Sequence, residues 1–166
     1  MVNLAVGDVV VYGAYGAGTV EARETRSVLG EQQTVVVVAL DGGLSVQLPL
    51  ALAQGQLRAL VDEAGLATVE QVLRDAPPSS SESWLKRRRE ALAKLGDAIG
   101  LAEIIRDGHL RETTPARGFG SRLAPSERDL VRRARGLLTS EIALARNVPF
   151  ADAEAWLDRQ LAVSSG

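Results

Sequence analysis

From Val9 to Leu48 the apolar residues fall in short runs rich in valine: Val9-Val10-Val11-Tyr12, Thr19-Val20-Glu21-Ala22, Val35-Val36-Val37-Val38 and Leu44-Ser45-Val46-Gln47-Leu48. β-branched residues suit a pleated, half-buried surface, so each run reads as a strand. Turn signals separate them, at Gly13 through Gly18, Leu29-Gly30-Glu31 and Asp41-Gly42-Gly43, with spacings that suit consecutive antiparallel hairpins. A parallel arrangement would need crossovers of about a dozen residues or more, and no helix-length segment lies between the runs. A small, strongly bent antiparallel sheet or barrel is expected.

Beyond Pro49 the period changes. Leu66, Val69, Val72 and Leu73 share one face of a helix that Pro77-Pro78 and Ser79-Ser80-Ser81 interrupt. Further helices are expected over Trp84 to Leu95, Ala98 to Arg111, Ser126 to Asn147 and Ala151 to Val163. Ser126, with Asp129 three residues on, is positioned to cap the third of these, since its hydroxyl can accept from an early N–H and the acid favours the positive helix end. Pro115, Gly118 and Gly120 mark Thr113 to Arg122 as a loop. The expected fold is α+β: a small antiparallel β domain over residues 1–62, a helix and Pro/Ser linker over 63–82, and an all-α domain over 83–166.

Composition changes this picture only in detail. With 46% hydrophobic and 24% charged residues the chain has the balance of a globular protein rather than a disordered tail. It holds no cysteine, which excludes disulfides and thiolate chemistry and suits a reducing cytoplasm. No run of about 18 apolar residues is present to span a membrane. The net charge of -2 conceals an asymmetry. Residues 1–78 carry four arginines against nine acids, a balance of -5, whereas residues 79–166 carry 15 cations against 12 acids, a balance of +3. The basic half is the candidate for nucleic acid.

Catalytic chemistry finds little support. His109 is the one histidine, so there is no triad, and its helical, polar surroundings read as an ordinary surface or partly buried position. Gly13, Gly16 and Gly18 lack the spacing of a dinucleotide fingerprint and lead into a strand, so turn geometry explains them better. Glu63 and Glu70 are too ordinary on a helix to be catalytic without a cleft that shifts a pKa. No catalytic residue, metal site or cofactor is expected, and the protein reads as a non-enzyme.

The segment Ser83-Trp84-Leu85-Lys86-Arg87-Arg88-Arg89-Glu90 sets a tryptophan just before four consecutive cations. Cations on a helix can face phosphates while Leu85, Leu92 and Leu95 keep an inner face. A rigid aromatic beside them can wedge between base steps. The residues alone favour the plainer reading, in which Trp84 packs at a domain boundary and the cations form a solvated face. Arg132, Arg133 and Arg135 stand between the same alternatives, a phosphate track or pairing with nearby acids such as Glu127 and Asp129. Trp156, among Ala155, Leu157 and Leu161, reads as a packing residue.

Val6-Gly7-Asp8-Val9-Val10-Val11-Tyr12, with Gly16 and Val20-Glu21 after it, resembles the opening of the CarD/CdnL family. Trp84-Leu85-Lys86-Arg87-Arg88, Ala102-Glu103-Ile104-Ile105-Arg106-Asp107, and Ser126-Glu127-Arg128 through Ala134-Arg135, with Leu138 and Ser140 to Ala145, resemble later family motifs in the same order. The resemblance covers nearly the whole chain. The opening motif is shared with the polymerase-binding module of transcription-repair coupling factors, while the tryptophan-plus-basic helix is more specific. The chain departs from relatives at Gly13-Ala14-Tyr15, where many have proline and histidine, and in a longer loop around Thr113 to Arg122.

The resemblance implies a Tudor-like or SH3-like N-terminal domain that binds the RNA polymerase β subunit by strand addition, and a helical domain on promoter DNA. It implies that Trp84 wedges into the minor groove at the edge of the transcription bubble, with Lys86, Arg87 and Arg89 on the backbone, stabilising the open promoter complex. Arg26 and Gln47 match positions used against polymerase; at the latter some relatives carry arginine and others an apolar residue. A cytoplasmic, nucleoid-associated monomer is expected. The alternative is a polymerase-binding or scaffold module whose helical half binds protein rather than DNA.

Overall fold

The computed structural model describes residues 4–40, 43–75, 96–113 and 124–164. The chain divides into two compact units, Met1–Leu60 and Val61–Gly166. The first is built on a five-stranded antiparallel sheet and the second is helical, which is the α+β arrangement that the hydrophobic pattern predicts.

The first unit runs β1 (Val9–Tyr12), a 3-10 turn at Gly13–Tyr15, β2 (Gly16–Val28), β3 (Glu31–Leu40), β4 (Ser45–Pro49), α1 (Leu50–Gln56) and β5 (Leu57–Ala59). The strand order is β4-β3-β2-β1-β5, so the chain meanders through four strands and α1 then returns β5 to the side of β1, with Tyr12 opposite Leu57. Val10, Val20, Val36 and Val38 are fully buried on one face, joined by Leu4, Leu40, Ala53 and Leu57. Each valine or leucine among them contributes about 1.5–3 kcal/mol of burial. The four expected strands are all present, β2 and β3 being longer than their valine runs. The three residues of β5 are too few to announce a period.

A bulge in β2 sets which residues share a face. Val20 lies opposite Val38, yet Ala22 lies opposite Val37, so Glu21 is the extra residue. Side chains alternate along a strand, and one inserted residue exchanges the faces beyond it. Glu24, opposite Val35, and Arg26, opposite Gln33, consequently stand on the face away from Val36 and Val38. Gln47 on β4, opposite Val37, stands on that face too.

The second unit contains α2 (Glu63–Arg74), α3 (Ala98–Thr113), α4 (Pro125–Arg146) and α5 (Phe150–Ser164). Asp62 caps α2 by accepting from the Gly65 N–H at 2.7 Å. Leu66, Val69 and Leu73 are buried as α2 packs on α3 and α5, which groups it with the helical unit although the sequence set 63–82 apart as a connecting segment. The Pro/Ser linker and the helix expected from Trp84 to Leu95 lie outside the described residues.

The expected Ser126 cap is corrected. α4 starts at Pro125, Ala124 holds the cap position without a side-chain bond, and Ser126 lies inside the first turn. Proline suits the first helical position because its missing N–H would have had no partner there. At the other end Asn147 takes the left-handed conformation, φ 53°, and the Val148 N–H reaches back to the Ala143 carbonyl at 3.0 Å, closing the helix where the sequence ends it. α3 and α4 approach closely at Gly108, where an added Cβ would lie 2.5 Å from Val131 Cγ2.

Candidate functional site

On the sheet face opposite the valine core, the Arg26 guanidinium links two neighbours. Its Nε donates to Glu24 Oε2 at 2.9 Å, Nη2 donates to the same oxygen, and Nη1 donates to Gln47 Oε1. Glu24 and Arg26 are two residues apart on β2, whereas Gln47 belongs to β4, so the link crosses β3 on the side that carries Val35 and Val37. The sheet thus brings together Arg26 and Gln47, the two positions of the first unit that the family resemblance implies for polymerase. Each terminal guanidinium nitrogen carries a second hydrogen, which gives this half-exposed group capacity to meet an incoming acceptor without surrendering Gln47.

The outer side of β4 and the outer side of β5 are the sheet's two edges. Both strands are short, the form in which an open edge is least prone to indiscriminate pairing. An open edge can accept an extended strand by main-chain hydrogen bonds.

In the helical unit the positions singled out for DNA, Trp84, Lys86, Arg87 and Arg89, lie outside the described residues. The second basic cluster is described. Arg135 donates to Asp158 on α5, and Arg132 lies 3.8 Å from Asp129 one turn away, with both side chains largely exposed. Arg128 and Arg133 have interaction partners as well. Pairing with acids therefore accounts for Arg132 and Arg135, and the exposed Arg132–Asp129 pair is weak enough to be given up to a phosphate.

Trp156 is only half-buried, with Arg146 stacked over its ring at 4.7 Å. Leu157 and Leu161 supply the packing on its helix, both buried. The cation over the indole covers the ring that the core leaves open. His109 is half-buried on α3 and has a partner. Among the described residues no group of three or more His, Asp or Glu side chains is arranged to hold a metal.

Polar groups inside the helical unit are paired and read as structural. Glu141, 2% exposed on α4, accepts from the Val61 N–H at 2.8 Å, at the first residue of the unit. Arg74 donates to the buried Gln160 at 2.7 Å, and Arg111 meets the nearly buried Glu127 at 3.3 Å. Arg106 is buried and donates to Asp107 on its own helix at 3.0 Å. Glu24 and Glu141 are the residues that sequence reading missed. Strand alternation puts Glu24 beside Arg26 and could have found it, whereas Glu141 meets Val61 across 80 residues, with no local signal.

Both halves of the chain match known families. Residues 4–61 match the model described as the CarD-like/TRCF RID domain, and residues 68–158 match the CarD C-terminal domain. A Bacillus subtilis (strain 168) protein carrying the name "Putative transcription factor YdeB" is 24% identical over 147 residues, which cover 86% of this chain and 92% of that protein.

Proposed function

The chain belongs to the CarD family, which makes it a transcription regulator acting with RNA polymerase, and from that premise we propose that it stabilises the open promoter complex. The first unit binds the polymerase β subunit and the helical unit binds promoter DNA. The observation that supports this reading most is that a CarD-like/TRCF RID domain and a CarD C-terminal domain are matched in that order, over residues 4–61 and 68–158.

On the polymerase side, an extended segment of the β subunit adds to an open sheet edge, and Arg26 meets a carboxylate beside it. Gln47 holds the guanidinium in position, so less side-chain freedom is lost on binding. On the DNA side, Lys86, Arg87 and Arg89 neutralise phosphates and Trp84 wedges into the minor groove at the upstream edge of the bubble.

The mechanism is linkage. A factor that binds the open complex better than the closed one shifts the equilibrium by its differential affinity. The family's domains are generally non-catalytic, and this mechanism needs no hydrolysis. Sequence selectivity is low, because cations read the backbone and a wedge reads deformability. The protein works as a cytoplasmic, nucleoid-associated monomer, and no helix among the described residues is long and apolar enough to cross a membrane.

The test is the dissociation half-life of polymerase open complexes with no factor, with wild type and with Trp84→Ala. A longer half-life with wild type that Trp84→Ala mostly loses supports the wedge. No effect of wild type, with polymerase binding retained, favours a polymerase-binding or scaffold module whose helical half binds protein.

A further inference from the structure

The β2–β3 hairpin extends past both neighbouring strands. β1 pairs with β2 only through Thr19 and β4 pairs with β3 only from Val35 onward. The last four pairs, Thr25–Thr34, Arg26–Gln33, Ser27–Gln32 and Val28–Glu31, therefore form a two-stranded ribbon, a form with little stability of its own in water. Residues 23–32 of this arm are all exposed.

Its turn is Leu29-Gly30, with φ of 53° and 84°. Positive φ at both central residues suits the twist of a tight hairpin, and asparagine, aspartate or glycine is the usual first residue. Glycine fills the second position here, but leucine fills the first, where its Cβ is strained. Its side chain is 100% exposed and Val28 beside it is 39% exposed. Folding thus gains nothing from leucine at this point, since it opposes the turn and buries no surface. A strained residue whose cost the fold does not repay locally points to a use outside it. Val28 is two residues from Arg26 on the same strand, so it continues the face that carries Arg26 and Gln47 toward the tip.

We propose that Val28 and Leu29 form an apolar knob that seats in an apolar depression of the RNA polymerase surface, next to the acidic group that meets Arg26. This rests on the polymerase reading above and extends it, by assigning an apolar anchor at the arm's tip in addition to strand pairing and charge. A polar network and main-chain pairing give orientation, and a buried leucine supplies affinity that neither provides.

The experiment compares wild type, Leu29→Asn and Leu29→Gly in thermal unfolding and in binding to purified core RNA polymerase. Both substitutions suit the turn better than leucine, so the melting temperature is expected to rise by about 2–4 °C. Polymerase affinity is expected to fall about tenfold, the equivalent of losing one buried leucine. Opposite signs in the two readouts support the knob, because a merely structural residue would move them together. Unchanged affinity in both variants overturns the knob and leaves the polymerase reading standing. Wild type that does not bind polymerase overturns both, and a concentration-dependent dimer abolished by Leu29→Asn overturns the knob in favour of self-association.

Discussion

Arg26 on β2 donates to the side-chain carbonyl of Gln47 on β4, two strands away, while Glu24 accepts from the same guanidinium. Glutamine can fill this role because its carbonyl accepts; an arginine at the same position would offer only donors.

Arg26→Ala is expected to weaken binding to core polymerase roughly tenfold, the worth of a charge-assisted contact. Stability should change by less than about 1 kcal/mol, because the Arg26 and Glu24 side chains are 41% and 45% exposed. Gln47→Ala should reduce affinity in wild type but add little on top of Arg26→Ala. A double-mutant cycle in a binding assay measures this coupling, and fully additive losses would refute the orienting role of Gln47.

Glu141→Leu leaves the part-buried Val61 N–H without its partner and should cost the helical unit about 1 kcal/mol or more. Glu141→Gln retains an acceptor and should cost less. Urea unfolding of both variants checks the order, and equal losses in the two, which both lack the charge, would assign the effect to the charge rather than to the hydrogen bond.

Alanine favours a helix over glycine by about 1 kcal/mol, yet Gly108→Ala is expected to destabilise the protein by about 1–3 kcal/mol because the new methyl meets Val131. Val131→Ala in the same chain should recover part of the loss. Stabilisation by Gly108→Ala alone would mean that α3 and α4 adjust freely at this contact.

For DNA, the slope of log affinity against log salt should become shallower by about 0.9 for each of Lys86, Arg87 and Arg89 replaced by alanine, if each meets a phosphate. Trp84→Ala should leave that slope unchanged while shortening open-complex lifetime. Fluorescence anisotropy on promoter fragments at several salt concentrations reads the slope, and a slope that stays constant in the triple variant would assign these cations to a solvated face.

Local pattern determined much of this protein. Valine runs divided by glycine turns specify an antiparallel meander, and of the four residues set on one helical face α2 buries Leu66, Val69 and Leu73, with Val72 half-buried. Both signals are legible because each period is a property of neighbouring residues. The α+β order and the family resemblance were likewise readable along the chain. What tertiary structure alone decided depends on register and on long separations. Simple alternation from Val20 would set Glu24 and Arg26 on the valine-core face, and the bulge at Glu21 moves them to the face of Gln47. The Glu141–Val61 bond and the Arg74–Gln160 bond join residues 80 and 86 apart. Such pairs arise only when strands have chosen their register and helices their packing, because the free energy that selects them is the burial of the whole core rather than any preference of the residues that meet.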